Sequence, residues 1–252
     1  MRPPGGHAAG RAGGRVALLI GALGLAGCSQ PNANPDEVIV LQITSPKTLT
    51  LEQNDTINIQ TMTLWGTALN LAGDSIAATI IWRCPDTTAA VPDSFIPYIY
   101  GLTTSGTARI QANTAGLFSP VLSYTLRPRT DTIIFAGPDT MRVLSSDVQS
   151  AGLDVEVDTY NPAGPLTGRV VIYSITSPVF ATVASRTVEF PNGWLSDTVV
   201  TSTTGQPATP PVIQRVTGVA SPDSAIVVVS ATRPSGRAVP GPGSGFIVRF
   251  VP

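Results

Sequence analysis

Histidine is nearly missing from this 252-residue sequence: His7 is the single one, and none follows it. That absence excludes Ser-His-Asp triads, Cys-His nucleophiles and histidine-bearing zinc sites from almost the whole chain. Lysine is as scarce, with Lys47 alone, and charged residues make up only 12% of the sequence. The arginines are scattered, so there is no electrostatic footprint for nucleic acid. Cysteine is limited to Cys28 and Cys84. No apolar residues recur at helical spacing over the length of an ordinary helix, and no run is long enough to cross a bilayer as a normal span.

What is present begins with the N-terminus. Arg2, Arg11 and Arg15 precede a short apolar run, residues 16–25, rich in small side chains. This is the pattern of a secretory signal. The run ends in Leu25-Ala26-Gly27-Cys28, which resembles the bacterial lipobox. That resemblance implies cleavage before Cys28 and acylation of its thiol. Each buried methylene contributes about 0.8 kcal/mol, so two or more chains hold a protein stably at a membrane where one would be marginal. Residues 1–27 are then a lipoprotein signal peptide, and residues 28–36, polar with two prolines, are a lipidated tether. The mature chain would carry 12 basic and 16 acidic residues, a net charge of −4. With Cys28 committed to lipid, no intrachain disulfide can form. Cys84 shares a strand face with Trp82, and a buried, inert thiol is expected there. Ser29 is not the aspartate expected for inner-membrane retention. The expected address is the cell envelope: the outer membrane where the organism has one, otherwise the outer face of the plasma membrane.

From Glu37 onward short runs of Thr, Val, Ile and Ser alternate and are cut by Gly, Pro, Asn and Asp. Period-two alternation predicts strands with one face inward. Ile39, Leu41 and Ile43 form one such face; residues 48–52 form a second strand, followed by a turn at Gln53-Asn54-Asp55. Ile57 and Ile59 open the next. Ile76, Ala78, Ile80, Trp82 and Cys84 read as one strand face. Ala108, Ile110 and Ala112 alternate against Thr107, Arg109 and Gln111. A turn at Thr114-Ala115-Gly116 leads into residues 117–126. Residues 126–130 are polar, hold Pro128 and read as a boundary. Beyond it, Leu153, Val155 and Val157 oppose Asp154, Glu156 and Asp158. Residues 131–135, 169–175, 183–190, 196–202, 225–231 and 246–251 complete a second set. The prediction is an all-β chain of tandem immunoglobulin-like β-sandwiches, residues 37–128 and 129–252, after the signal peptide and tether.

With the strands placed, residues 37–128 resemble the group 2 bacterial immunoglobulin-like domain. The resemblance rests on residues 48–57, Ile80-Ile81-Trp82 and residues 101–112. It implies that Trp82 packs between the sheets. Residues 84–100 depart from that pattern, being longer and proline-rich. Residues 131–251 resemble more weakly the group 1 domains of invasin and intimin, on residues 153–158, 164–171, 203–208 and 226–231. Both resemblances imply a spacer or adhesive module with no catalytic residue and no cofactor.

Other constellations offer different chemistry. Asp154, Glu156 and Asp158, with Asn161 beyond, form an acidic stripe. Like charges so placed lie about 7 Å apart along a strand. A solvated outer face is the first reading, calcium binding the second and carboxylate-pair hydrolysis the third. Gly241-Pro-Gly-Ser-Gly245 is glycine-rich, but no helix follows to cradle a phosphate. Ser45-Pro46-Lys47 reads as a turn. Trp194, Trp65, Tyr98 and Tyr100 are the aromatic candidates for a glycan face, and Trp194 follows the turn signal Asn192-Gly193. The function expected is a non-enzymatic, membrane-anchored adhesion, spacer or envelope-interaction module. Its partners would be the membrane through Cys28 and a cell-surface protein or polysaccharide. A carbohydrate-binding lipoprotein is the alternative, and a hydrolase the remaining one.

Overall fold

The computed structural model describes residues 37–44, 49–58, 65–92, 98–218, 220 and 222–251. The described residues form one compact unit. It holds two separate hydrophobic cores, one drawn from residues 41–126 and one from residues 133–250. No described residue lies in an α-helix.

The first sandwich begins with β1 (Val40–Thr44), β2 (Thr50–Glu52), β3 (Thr56–Asn58) and β4 (Trp65–Leu69). It continues through β5 (Ser75–Ile76), β6 (Ile81–Arg83), β7 (Ala90–Pro92) and β8 (Tyr98–Gly101). It closes with β9 (Gly106–Thr114), β10 (Leu117–Phe118) and β11 (Leu122–Arg127). The second opens with β12 (Thr132–Phe135), β13 (Thr140–Val143), β14 (Val155–Tyr160), β15 (Ala163–Pro165) and β16 (Val170–Ser177). After it come β17 (Val188–Glu189), β18 (Ser196–Val200), β19 (Gln214–Arg215), β20 (Ser224–Ser230) and β21 (Phe246–Phe250).

One device recurs in both. The opening segment of each sandwich divides between two sheets. β1 pairs antiparallel with β4, and then β2 pairs parallel with β11, the last strand of its unit. In the same way β12 pairs antiparallel with β14, and then β13 pairs parallel with β21. A strand that changes sheets ties the two layers together at their edge. The repeat of this path makes the two units the same kind of sandwich.

The alternation in the sequence translates into burial. Ala108, Ile110 and Ala112 are all fully buried, while Arg109 between them faces out. Val155, Val157 and Leu153 are fully buried on the facing unit. Each fully buried aliphatic side chain contributes about 1.5–3 kcal/mol, which fixes the strand register. In the first core Trp82 and Cys84 are buried together, with Ile80 packed against them.

Three strand expectations change. Residues 76–84 are two strands, β5 and β6, although the in–out alternation of burial persists across the gap. Residues 117–126 likewise break into β10 and β11. Residues 183–190 open with a 3-10 turn at Val183–Ser185. There the Ser185 hydroxyl donates to the Thr182 carbonyl at 2.8 Å and accepts from the Thr182 N–H at 3.1 Å. Local hydroxyl bonds of this kind compete with a ladder and win at an exposed segment. Ile59 lies outside the described residues.

The ladder directions also orient the molecule. β16 starts, and β20 ends, at the end of the second sandwich that meets the first. The far end carries the end of β16, the start of β18 and the ends of β13 and β21.

Candidate functional site at the junction of the two sandwiches

The junction is assembled from a turn, a linker and two loop edges. The turn after β2 puts Asn54 at φ +53°, a conformation Asn tolerates better than most side chains. Its side-chain oxygen accepts from the Tyr100 hydroxyl at 3.0 Å. This turn sets Glu52 and Asp55 at the end of the first sandwich. Gly101 makes the close approach possible, because a Cβ there would lie 2.6 Å from the Glu52 carbonyl oxygen. Residues 128–131 lead across, and Arg169, just before β16, and Arg233, just after β20, come from the second sandwich.

Glu52 is 1% exposed and lies at the centre. Its carboxylate accepts from the Thr130 N–H at 3.0 Å, the Thr130 hydroxyl at 2.8 Å and Arg127 Nε at 3.2 Å. Arg169 Nε stands 3.7 Å from the same carboxylate and donates to Thr130 Oγ1 at 2.9 Å. Arg169 Nη2 also donates to the Pro128 carbonyl at 2.8 Å. Arg169 is buried too, and burial first and the Arg127 charge second pull its pKa down to about 10. It stays a cation at neutral pH. A buried ion pair of this kind is strongly destabilised when one partner alone is removed.

A second set of bonds flanks it. Asp131 Oδ2 accepts from the Tyr160 N–H at 2.8 Å, and Arg129 Nε donates to Oδ1. Arg233 Nη2 lies 3.6 Å from Asp131 Oδ1, and its Nε donates to the Thr130 carbonyl at 2.7 Å. Asp55 receives the Ser235 hydroxyl and lies 3.4 Å from Arg237 Nη1. Arg129 Nη1 reaches back to the Asn54 carbonyl at 3.3 Å. Three carboxylates and five guanidiniums thus gather at one seam of a chain with few charges. Sequence reasoning marked the linker but missed Glu52, Arg169 and Arg233. The available signal was a pair of charges at strand ends, Glu52 closing β2 and Arg169 preceding β16.

The other sequence candidates are placed elsewhere. Trp194 is 64% exposed at the far end of the second sandwich. Its backbone is held by Asn192 Oδ1, which accepts the Trp194 N–H at 2.9 Å, and its carbonyl accepts from the Phe190 N–H. Leu144, Val148, Val179 and Val183 are exposed at the same end. Tyr100 belongs to the first sandwich beside the junction, so it shares no face with Trp194. The side chains of Trp65 and Tyr98 are not among those described, and Cys28 and Ser45-Pro46-Lys47 lie outside the described residues.

Asp154, Glu156 and Asp158 do share a face, but it is half-buried rather than solvated. Gln206 Nε2 donates to Glu156 at 3.1 Å. Asp158 Oδ1 is buried without a hydrogen-bond donor among the described residues. Burial first, then the neighbouring Glu156 charge, push the Asp158 carboxyl above the usual range. Among the described residues no three His, Cys, Asp or Glu side chains come together to hold a metal ion. Cys84 is a free, buried thiol whose pKa burial pushes up, which weakens it as a nucleophile. Residues 241–245 run as a loop into β21.

No protein-family model and no curated protein matches the chain. Solved structures do show likenesses. Domains 4 and 5 of the S-layer protein SbsC match at 15% identity and a TM-score of 0.29, covering 86% of this chain and 100% of that one. The Yersinia pseudotuberculosis adhesin InvE matches at 14% identity and 0.36, covering 83% of this chain and 58% of that one. The first two repeats of human protocadherin-24 match at 8% identity and 0.27, covering 85% of this chain and 99% of that one. The first is an S-layer protein and the second an adhesin, but at such scores the likenesses assign no role. The strand pairing carries the fold.

Proposed function

We propose that this chain is a non-enzymatic envelope lipoprotein, moored through an acylated Cys28 and acting as a rigid two-domain stalk for adhesion or envelope contact. The observation that carries the reading is the buried Glu52–Thr130–Arg169 junction, which links the two sandwiches by side-chain and backbone bonds rather than by a free linker. A spacer must resist bending, and a hydrogen-bonded seam centred on a buried ion pair does so. On this reading residues 1–27 are the signal peptide, 28–36 the tether, and 37–128 and 129–252 the two domains. The exposed apolar side chains at the far end form the contact surface. The absence of histidine after His7 argues against the commonest hydrolytic machinery.

Metabolic labelling of the full chain with an alkyne fatty acid, beside Cys28→Ser, tests the anchor. The native chain is expected to take up label and sediment with membranes, and the variant to do neither. A native chain that stays unlabelled and soluble refutes the proposal.

A second reading, glycan binding, is favoured by one observation: Trp194 is exposed on a pinned turn. A glycan pull-down that loses signal with Trp194→Ala would support it.

A further inference from the structure

Beside the buried junction lies a groove of about 230 Å³. Its walls come from both sandwiches: Thr50 and Arg127 from the first, Arg169 and Arg233 from the second, and Thr130 between them. Among the described residues, three arginines line it and no carboxylate does. Glu52 and Asp131 face these arginines but do not line the groove.

The charges do not balance. Among the described residues, Arg127, Arg129, Arg169 and Arg233 face two carboxylates, Glu52 and Asp131, at this seam. The excess is two positive charges within a chain whose formal net charge is −1. Nor are the guanidinium donors spent. Arg127 uses Nε and Nη2 on Glu52, and Arg233 uses Nε on Thr130 and Nη2 on Asp131. Neither Nη1 has an acceptor among the described residues. Guanidinium forks match the oxygens of phosphate bidentately and are weakly hydrated, so they are suited to hold such a group. The volume is below that of ordinary small-molecule pockets, which sets the occupant at one phosphate group with a small substituent.

We propose that this groove is a binding site for a phosphate dianion, free or carried on a sugar, held by Arg127, Arg169 and Arg233. Because the walls belong to both sandwiches, an occupant contacts both units at once. Binding therefore stabilises the closed junction by mass action.

The test uses the full chain with inorganic phosphate and with glucose 6-phosphate, read by calorimetric titration and by amide chemical shifts. Saturable binding is expected, with shifts centred on Gly168, Val170 and Thr232. Arg127→Gln and Arg233→Gln are each expected to weaken it about tenfold, the loss of one charge-assisted hydrogen bond. Arg142→Gln, on the exposed face of β13, is expected to leave it unchanged. Equal affinity for the two ligands means that the oxyanion alone is recognised; tighter binding of glucose 6-phosphate identifies a phosphorylated glycan. If either arginine variant fails to fold, the shifts in the native chain decide. Absence of saturation by both ligands, or shifts centred away from the groove, overturns the proposal.

Discussion

Replacing Glu52 with alanine removes the one carboxylate that Thr130, Arg127 and Arg169 share. Three hydrogen bonds disappear with it, two of them from Thr130 at 2.8 and 3.0 Å. The larger effect is on Arg169, which remains buried with its cationic Nε no longer facing an anion 3.7 Å away. Breaking a buried pair from one side costs about 3–5 kcal/mol. For a chain of this size about 2–4 °C of melting temperature follows each kcal/mol. Differential scanning calorimetry should therefore show a fall of roughly 6–20 °C. The transition should also broaden or split, as the two sandwiches cease to unfold together. The double variant Glu52→Ala with Arg169→Met should lose less than the two single losses combined, because the stranded cation is gone; coupling of about 0.5–3 kcal/mol is expected. A melting temperature within a degree or so of the native one, with additive effects in the cycle, would refute the reasoning.

Two tyrosines provide a matched pair. Tyr124 Oη is buried without a partner among the described residues and burial pushes its pKa up to about 12, whereas Tyr173 Oη donates to the Leu153 carbonyl at 3.0 Å. Tyr124→Phe should leave stability level or raise it, and Tyr173→Phe should lower it by about 0.5–1.5 kcal/mol in urea unfolding. Gly101→Ala drives a methyl against the Glu52 carbonyl and should cost about 1–3 kcal/mol by the same assay. Asp158 has a carboxyl pKa raised in the folded state. A raised carboxyl costs stability once pH exceeds its unfolded value near 3.9. Asp158→Asn should therefore be more stable than the native chain at pH 7, with the gain vanishing near pH 3.

Much of the fold was legible because it is written in side-chain period. Ala108, Ile110 and Ala112 alternate in sequence and are buried to the last atom, and Leu153, Val155 and Val157 do the same. What period cannot show is whether alternating burial is matched by ladder bonds, so 76–84 was expected as one strand and is two. Nor can it show that Ser185 closes a local turn on Thr182. The acidic stripe was expected on a solvated face, but Gln206 from a distant loop reaches over to Glu156 and half covers it. The junction was illegible for a different reason. Glu52 and Arg169 look like polar punctuation at strand ends, and they acquire a role only when two sandwiches place them against the same threonine.

The central claim is that the junction holds the sandwiches in one fixed relation. Pulsed electron spin resonance between labels on Leu71→Cys and Val179→Cys, both at exposed positions, measures this directly. Cys28→Ser and Cys84→Ala remove the native thiols. A single narrow distance distribution that broadens when Glu52→Ala is added is the predicted result. A broad distribution in the presence of Glu52, or a narrow one indifferent to its loss, would contradict it.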